Sequence, residues 1–130
     1  MKNTPLIPVS WGELLDKITI LQIKRERLTG AAALANVARE LDALGAIAAP
    51  VLADDRMATD LTAKLKQLNE TLWEIEDRIR DKEAAGAFDA DFIALARAVY
   101  KRNDERAALK KQLNLQLASG LVEEKSYRSY

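Results

Sequence analysis

The chain has 130 residues, and its twenty basic and twenty acidic side chains give a formal net charge of zero. This length implies a single domain over residues 1–130. With 48% apolar and 31% charged residues, the composition is typical of a globular protein rather than a disordered one. A balanced charge lacks the positive field that nucleic-acid-binding proteins use, so we expect no nucleic-acid partner.

The sequence contains no Cys and no His. This excludes disulfides, thiolate nucleophiles and His-dependent catalytic triads, and it removes the commonest ligands of transition metals. We therefore expect neither a metal site nor a cofactor, and we place the protein in the cytoplasm. The N-terminus lacks the apolar run of a signal peptide, and no stretch approaches the ~20 apolar residues of a membrane span, so we expect no membrane association.

The first predicted helix follows an extended segment at residues 1–9, which contains two prolines. Ser10 and Glu13 have the spacing of a capping box, in which each side chain bonds a backbone N–H of the other residue. The apolar pattern predicts that this helix extends to about Thr29. Gly30 is predicted to stop it in a left-handed conformation.

The second predicted helix covers Ala32–Ala48 and is rich in alanine, which favours helix but supplies little buried volume. Pro50 is predicted to end it, because proline lacks the backbone N–H that a continuing helix needs. Residues 51–55 are then predicted to form a connection.

The third and fourth predicted helices are each about 30 residues long, or roughly 45 Å at the standard helical rise. The third covers Arg56–Ala85 and stops at Gly86, while the fourth follows a cap at Asp89 and continues to Ser119. Equal lengths and a short loop predict an antiparallel hairpin, leaving a tail at residues 121–130. The sequence therefore predicts an all-α four-helix bundle built on a long antiparallel helical hairpin.

Two stripes of side chains follow the third helix. An apolar stripe has the alternating spacing of four and three that is typical of a coiled-coil seam. It consists of Leu61, Leu65, Leu68, Leu72, Ile75 and Ile79. A second stripe beside it contains Asn69, Trp73, Glu76 and Arg80. It is interpretable as a second packing face, or as the wall of a site in which Arg80 binds an anion and Trp73 stacks.

Four polar residues interrupt the apolar face of the fourth helix, namely Asn103, Arg106, Lys110 and Asn114. A buried cation without a partner costs several kcal/mol, so these groups need partners, water or a cavity. Either they form a satisfied layer that fixes helix register, or they line an anion-binding cavity between helices. The hairpin places no carboxylate opposite them. The negative charge must then come from Asp16 or Glu26 of the first helix, from the tail or from a bound anion.

Four segments of the chain together resemble an uncharacterised bacterial family of small proteins, a domain of unknown function. The segments are residues 11–24, 69–80, 96–110 and 122–127. By this resemblance, the family-like positions include Asp16, Lys17, Lys24, Asn69, Trp73, Glu76, Asp77, Arg80, Tyr100, Asn103, Asp104, Arg106, Lys110, Asn114 and residues 123–127. The resemblance implies a fold and brings no activity, substrate or cofactor.

The leading functional hypothesis is a non-enzymatic binding or adaptor protein that recognises a small anionic ligand or a partner protein. Its predicted binding residues are Asp16, Asn69, Trp73, Glu76, Arg80, Asn103, Arg106, Lys110 and Asn114. One alternative is a carboxylate- and magnesium-dependent enzyme acting on a phosphorylated or nucleotide substrate, with carboxylates drawn from residues 13–16 and 74–77. Another is a purely structural helical oligomer. The first helix also carries two stripes, one with Trp11 and Leu14 and one with Asp16 and Ile20. Because four helices do not cover these stripes together with the two of the third helix, we also expect a homodimer.

Overall fold

The computed structural model describes residues 3–130, which form four α-helices and no strand. The helices are α1 (Trp11–Arg27), α2 (Ala31–Ala53), α3 (Arg56–Ala84) and α4 (Ala90–Gln116). The predicted all-α fold is confirmed. Within the described residues, no helix combines the length and the apolar character needed to cross a bilayer.

Three of the helices begin at a side-chain cap, and the caps at Ser10 and Asp89 were predicted from the sequence. Ser10, Asp55 and Asp89 each accept a hydrogen bond from the backbone N–H three residues further on, at 3.1, 2.9 and 3.0 Å. Each cap satisfies one of the backbone donors that a helix leaves unpaired at its start. The helix α2 begins after Gly30 without a side-chain cap.

The prediction that Pro50 ends the second helix is wrong. The helix α2 continues through Pro50 to Ala53, so the connection shrinks to two residues before α3. Leu52 packs against the hydrophobic core, and its carbonyl accepts a hydrogen bond from the hydroxyl of Thr59 at 2.8 Å. Packing of the last turn therefore outweighs the single backbone hydrogen bond that proline removes.

Two further helix ends differ from the prediction. The helix α1 ends at Arg27, and Gly30 is extended (φ −74°) rather than left-handed. Leu28 takes an extended conformation and packs against the core, which draws the chain out of the helix early. At the end of α4, Ala118 rather than a glycine takes the left-handed position (φ 50°). The predicted stop of the third helix at Gly86 is confirmed, and Gly86 is left-handed (φ 64°).

The helices α3 and α4 form the long hairpin, and α1 packs against all three other helices. The helix α2 contacts α1 and α3 but not α4, so it lies at one side of the bundle. Of the predicted apolar seam, Leu65, Leu68, Leu72 and Ile75 are buried. The main core cluster consists of Leu14, Leu15, Ile18, Leu21, Val37, Leu41, Ala48, Ala58, Leu65 and Leu113.

Candidate ligand-binding site

A series of polar contacts joins α1 to α4 at three successive turns of α4. We call this series the polar ladder. It pairs Asn114 with Gly12, Lys110 with Glu13, and Arg106 with Asp16.

The first rung brings the two helix backbones into close contact. The Gly12 N–H donates a hydrogen bond of 2.7 Å to Oδ1 of Asn114. A Cβ atom at residue 12 would lie only 2.4 Å from the carbonyl oxygen of Lys110. Glycine at this position is therefore what allows α1 to pack directly onto α4.

The second rung centres on Lys110, which is only 9% exposed. Its ammonium nitrogen lies 2.7 Å from a carboxylate oxygen of Glu13 and 2.9 Å from one of Glu123. Burial lowers the pKa of Lys110, but the hydrogen bonds that its ammonium donates to the two carboxylates outweigh burial and raise that pKa overall. The predicted capping box is therefore present in part. The backbone N–H of Glu13 donates to the Ser10 hydroxyl as predicted, but the Glu13 carboxylate binds Lys110.

The third rung is an ion pair between a buried carboxylate and a partly buried guanidinium. Asp16 is 1% exposed and accepts hydrogen bonds on both oxygens from Arg106, with 2.9 Å between Nε and Oδ1. Asn69 of α3 donates to the same Oδ1 at 2.9 Å and to the hydroxyl of Thr19 at 2.9 Å. The hydrogen bond with Asp16 raises the pKa of the Arg106 guanidinium.

The ladder thus shows which carboxylates compensate its two cations, Arg106 and Lys110. Asp16 supplies the negative charge for Arg106, while Glu13 and the tail carboxylate of Glu123 supply it for Lys110. In residues 3–130, no buried side-chain nitrogen or oxygen lacks a hydrogen-bond partner. The ladder therefore meets the condition for a satisfied polar layer between helices.

The end of the chain returns along α4 in a segment that we call the strap, residues 121–130. Near its start, Glu123 binds Lys110, and at its end the ring of Tyr130 packs edge-on against that of Tyr100, with 5.2 Å between centroids. A hydrogen bond to Asp104 raises the pKa of the Tyr130 hydroxyl. Side chains at both ends of the strap thus hold it against the helix.

A cavity of about 750 Å³, the strap cavity, lies between the strap and α4. Four cationic side chains line it, two from α4 and two from the strap, namely Arg106, Lys110, Lys125 and Arg128. Three carboxylates also line it: Glu13, Asp104 and Glu123. Its remaining wall includes Tyr100, Tyr127 and Tyr130.

A second cavity, of about 520 Å³, lies on the other side of Arg106 between α1, α3 and α4. We call it the Trp73 groove. It is lined by the whole second stripe of α3 together with two residues of α4, namely Asn69, Trp73, Glu76, Arg80, Asn103 and Arg106. Glu76 and Arg80 lie 3.5 Å apart as an exposed pair one turn apart on α3.

The nine residues predicted as a site therefore belong to one continuous band, made of the polar ladder and the adjoining Trp73 groove. The predicted binding residues did not include Glu13, Glu123, Tyr100, Tyr127 and Tyr130. As a site residue, the sequence suggested Glu13 only as a magnesium ligand, and the tail only in general as a source of negative charge. The strap has no helical periodicity from which its position could be predicted. The one sequence feature that could have indicated a site there is its concentration of charged and Tyr residues after the last helix.

The carboxylates considered for magnesium do not converge in the structure. Among residues 3–130, no group of three or more Asp or Glu side chains is placed to hold a metal ion. Glu13 binds Lys110 instead, and Glu74 pairs with Arg27 at 3.4 Å.

The fold and the site together define a small all-α protein in which a buried ionic ladder joins the helices and a C-terminal strap borders a ligand-sized cavity. Residues 6–130 match the model of the Family of unknown function (DUF6165), and the chain belongs to that family. The predicted resemblance to a domain of unknown function is thereby confirmed. The comparisons match the chain to no curated protein and no solved structure.

Proposed function

We propose that this is a non-enzymatic binding protein that holds a small anionic ligand in the strap cavity. One observation carries the proposal: Lys110, a buried lysine of the bundle, binds a carboxylate from the strap, a segment outside the helices. Glu123 thereby marks a position beside Lys110 where a negative charge is stabilised. An anion of a ligand would find the same charge and hydrogen-bond donor there.

The size and charge of the strap cavity support this proposal. Its volume of about 750 Å³ falls within the range of small-molecule sites, about 300–1,000 Å³. Arg106 is already held by Asp16, so the cations available to a ligand are Arg128 and Lys125. Lys125 forms an exposed pair with Glu123 at 3.5 Å, which a ligand anion would replace. Displacement of Glu123 would add Lys110 to them.

The other readings from the sequence become outcomes of the same experiment. A partner protein would use the exposed strap itself, and an enzyme would need magnesium with the ligand. We also propose that the protein acts in the bacterial cytoplasm and that it forms a homodimer. In this dimer the coiled-coil seam of α3 packs within each subunit rather than between subunits.

The test is a thermal-shift titration with inorganic phosphate, sugar phosphates and nucleotides, each with and without magnesium. We expect anions alone to raise the melting temperature. The double variant Lys125→Ala, Arg128→Ala should lose this effect, because it removes both strap cations. It keeps the three pairs of the polar ladder and removes only the exposed contact of Lys125 with Glu123. The matched control is Lys101→Ala, an exposed residue of α4 that does not line the cavity.

Each outcome separates the hypotheses. Stabilisation that appears only with magnesium would favour the enzyme. A complete lack of stabilisation by any anion would refute the small-ligand proposal in favour of a partner protein. Equal effects in the double variant and the control would show that anions bind elsewhere on the protein.

A further inference from the structure

All three tyrosines of the chain line the strap cavity. They come from two separate parts of the sequence, since Tyr100 lies on α4 while Tyr127 and Tyr130 lie on the strap. None belongs to the hydrophobic core, because their exposures are 43%, 80% and 75%. Exposed tyrosines gathered around one cavity resemble a recognition surface more than a packing element, since Tyr presents an apolar ring together with a polar tip.

The strap cavity is also polarised along α4. Tyr100 and Lys110 are ten residues apart, which corresponds to about 15 Å along the helix. Tyr130 packs on Tyr100 at the aromatic end, while Glu123 binds Lys110 at the cationic end. The wall thus places the Tyr100–Tyr130 pair at one end and Lys110, with the carboxylates of Glu13 and Glu123, at the other. The ring of Tyr127 lies nearer the second end, 5.5 Å from the ammonium of Lys125, which itself pairs with Glu123.

Hydrogen-bonding groups surround the aromatic end. Asn103 and Asp104 lie within about one turn of Tyr100 on α4, and both line the cavity. An amide and a carboxylate beside a ring-stacking surface suit the edge of a ring that carries its own donors and acceptors. Asp104 already bonds the hydroxyl of Tyr130, so the amide of Asn103 is the group most available to the edge of such a ring.

We infer that the ligand of the strap cavity is an elongated molecule with a planar heteroaromatic ring at one end and an anionic group at the other, the chemistry of a nucleoside phosphate. This inference rests on the proposed function, which requires only the anionic group, and it specifies in addition that the ligand carries a heteroaromatic ring. The ring stacks on the tyrosines with its edge toward Asn103 and Asp104. The anionic group lies at the strap cations and beside Lys110, where it replaces the carboxylate of Glu123.

The test compares four probes by isothermal titration calorimetry: AMP, ribose 5-phosphate, adenosine and inorganic phosphate. We expect AMP to bind about tenfold more tightly than ribose 5-phosphate, as is typical for stacking of one base on aromatic side chains. Tyr127→Leu should reduce this advantage, lowering the affinity for AMP more than that for ribose 5-phosphate, which senses only the loss of the ring beside Lys125. Tyr127 is chosen because it is the most exposed of the three tyrosines and its removal spares the Tyr100–Tyr130 contact.

Phe88→Leu is the matched control, since Phe88 is an exposed aromatic residue that does not line the strap cavity. The preference for AMP should be unchanged in this variant. Tyr100→Leu is a second test, with its far-ultraviolet circular dichroism compared with that of the wild type to verify that the helices persist. We expect it to abolish the preference.

Failures of the inference and of the proposed function are distinguishable. If ribose 5-phosphate binds as tightly as AMP, the aromatic inference is overturned and the anion-binding function stands. If adenosine binds as tightly as AMP, the anionic group contributes nothing and the proposed function falls. If neither AMP, ribose 5-phosphate nor phosphate binds, the proposed function fails and the inference fails with it.

Discussion

Replacing Arg106 by Met tests whether the polar ladder stabilises the fold. Asp16 accepts three hydrogen bonds from side chains, two from Arg106 and one from Asn69. Arg106→Met removes the two charged donors and leaves a carboxylate that is 1% exposed with a single neutral donor. Removing one partner of a buried pair typically costs about 3–5 kcal/mol, because the other charge stays buried.

Urea denaturation measures this loss. With a typical slope of about 2 kcal/mol per molar urea, a loss of this size lowers the midpoint by about 1.5–2.5 M. The control is Arg102→Met, since Arg102 forms an exposed pair with Glu105 at 3.0 Å. An exposed pair contributes at most about 1 kcal/mol, so the control midpoint should move by less than about 0.5 M.

A double variant tests the physical reason for the loss. In Asp16→Leu, Arg106→Met, no charge is left unpaired at this rung, and an apolar pair of similar volume often replaces a buried ion pair at little cost. The double variant should therefore recover most of the stability that Arg106→Met loses. A single-variant loss below about 1 kcal/mol, or a double variant that is less stable than either single one, would refute the reasoning.

Four other predictions follow from packing, burial and charge. Gly12→Ala should lower the free energy of unfolding by about 1–3 kcal/mol in thermal denaturation, because its Cβ atom would meet a backbone oxygen at 2.4 Å. Gly45→Ala should instead raise it by about 0.5–1 kcal/mol, because Gly45 lies in α2 with open space around it. Leu72→Ala should cost about 2–4 kcal/mol in urea melts, as expected for a buried leucine of the seam, and a loss under about 1 kcal/mol would contradict its place there. A hydrogen bond from the buried Lys110 lowers the pKa of Glu123. Docking of the strap is therefore stabilised above the ordinary pKa of 4.5 and is lost as the pH falls through the lowered value. NMR of the strap should show this release on acidification; Glu123→Gln should abolish the pH dependence, and Glu124→Gln should not. Sedimentation equilibrium at tens of micromolar protein should show a dimer, and a particle of about 14.5 kDa would contradict the proposed assembly.

Most of the fold follows from local patterns in the sequence. The caps at Ser10, Asp55 and Asp89 and the left-handed turn at Gly86 depend on residues close in sequence, and all four are present. The end of α2 depends instead on tertiary packing, which carries the helix through Pro50. Local signals therefore locate helix starts better than helix ends in this chain.

The candidate site is predictable in part for a similar reason. Helical spacing places Arg106, Lys110 and Asn114 on one face and shows that the cations need partners. It does not specify that α1 approaches closely enough for Asp16 to bind Arg106, which depends on packing between elements distant in sequence. The position of Glu123 beside Lys110 depends on the path of the strap, a segment without helical periodicity.

The lateral position of α2 has a consequence for the dynamics of the protein. Because α2 does not contact α4, detachment of α2 leaves two sets of contacts in place. These are the polar ladder between α1 and α4 and the packing of α1 on the α3–α4 hairpin. Its many alanines bury little area, its start lacks a side-chain cap and Pro50 removes one backbone hydrogen bond near its end. Amide protons of α2 should therefore exchange with solvent through an opening of this helix alone, while those of α1, α3 and α4 exchange only when the larger unit unfolds.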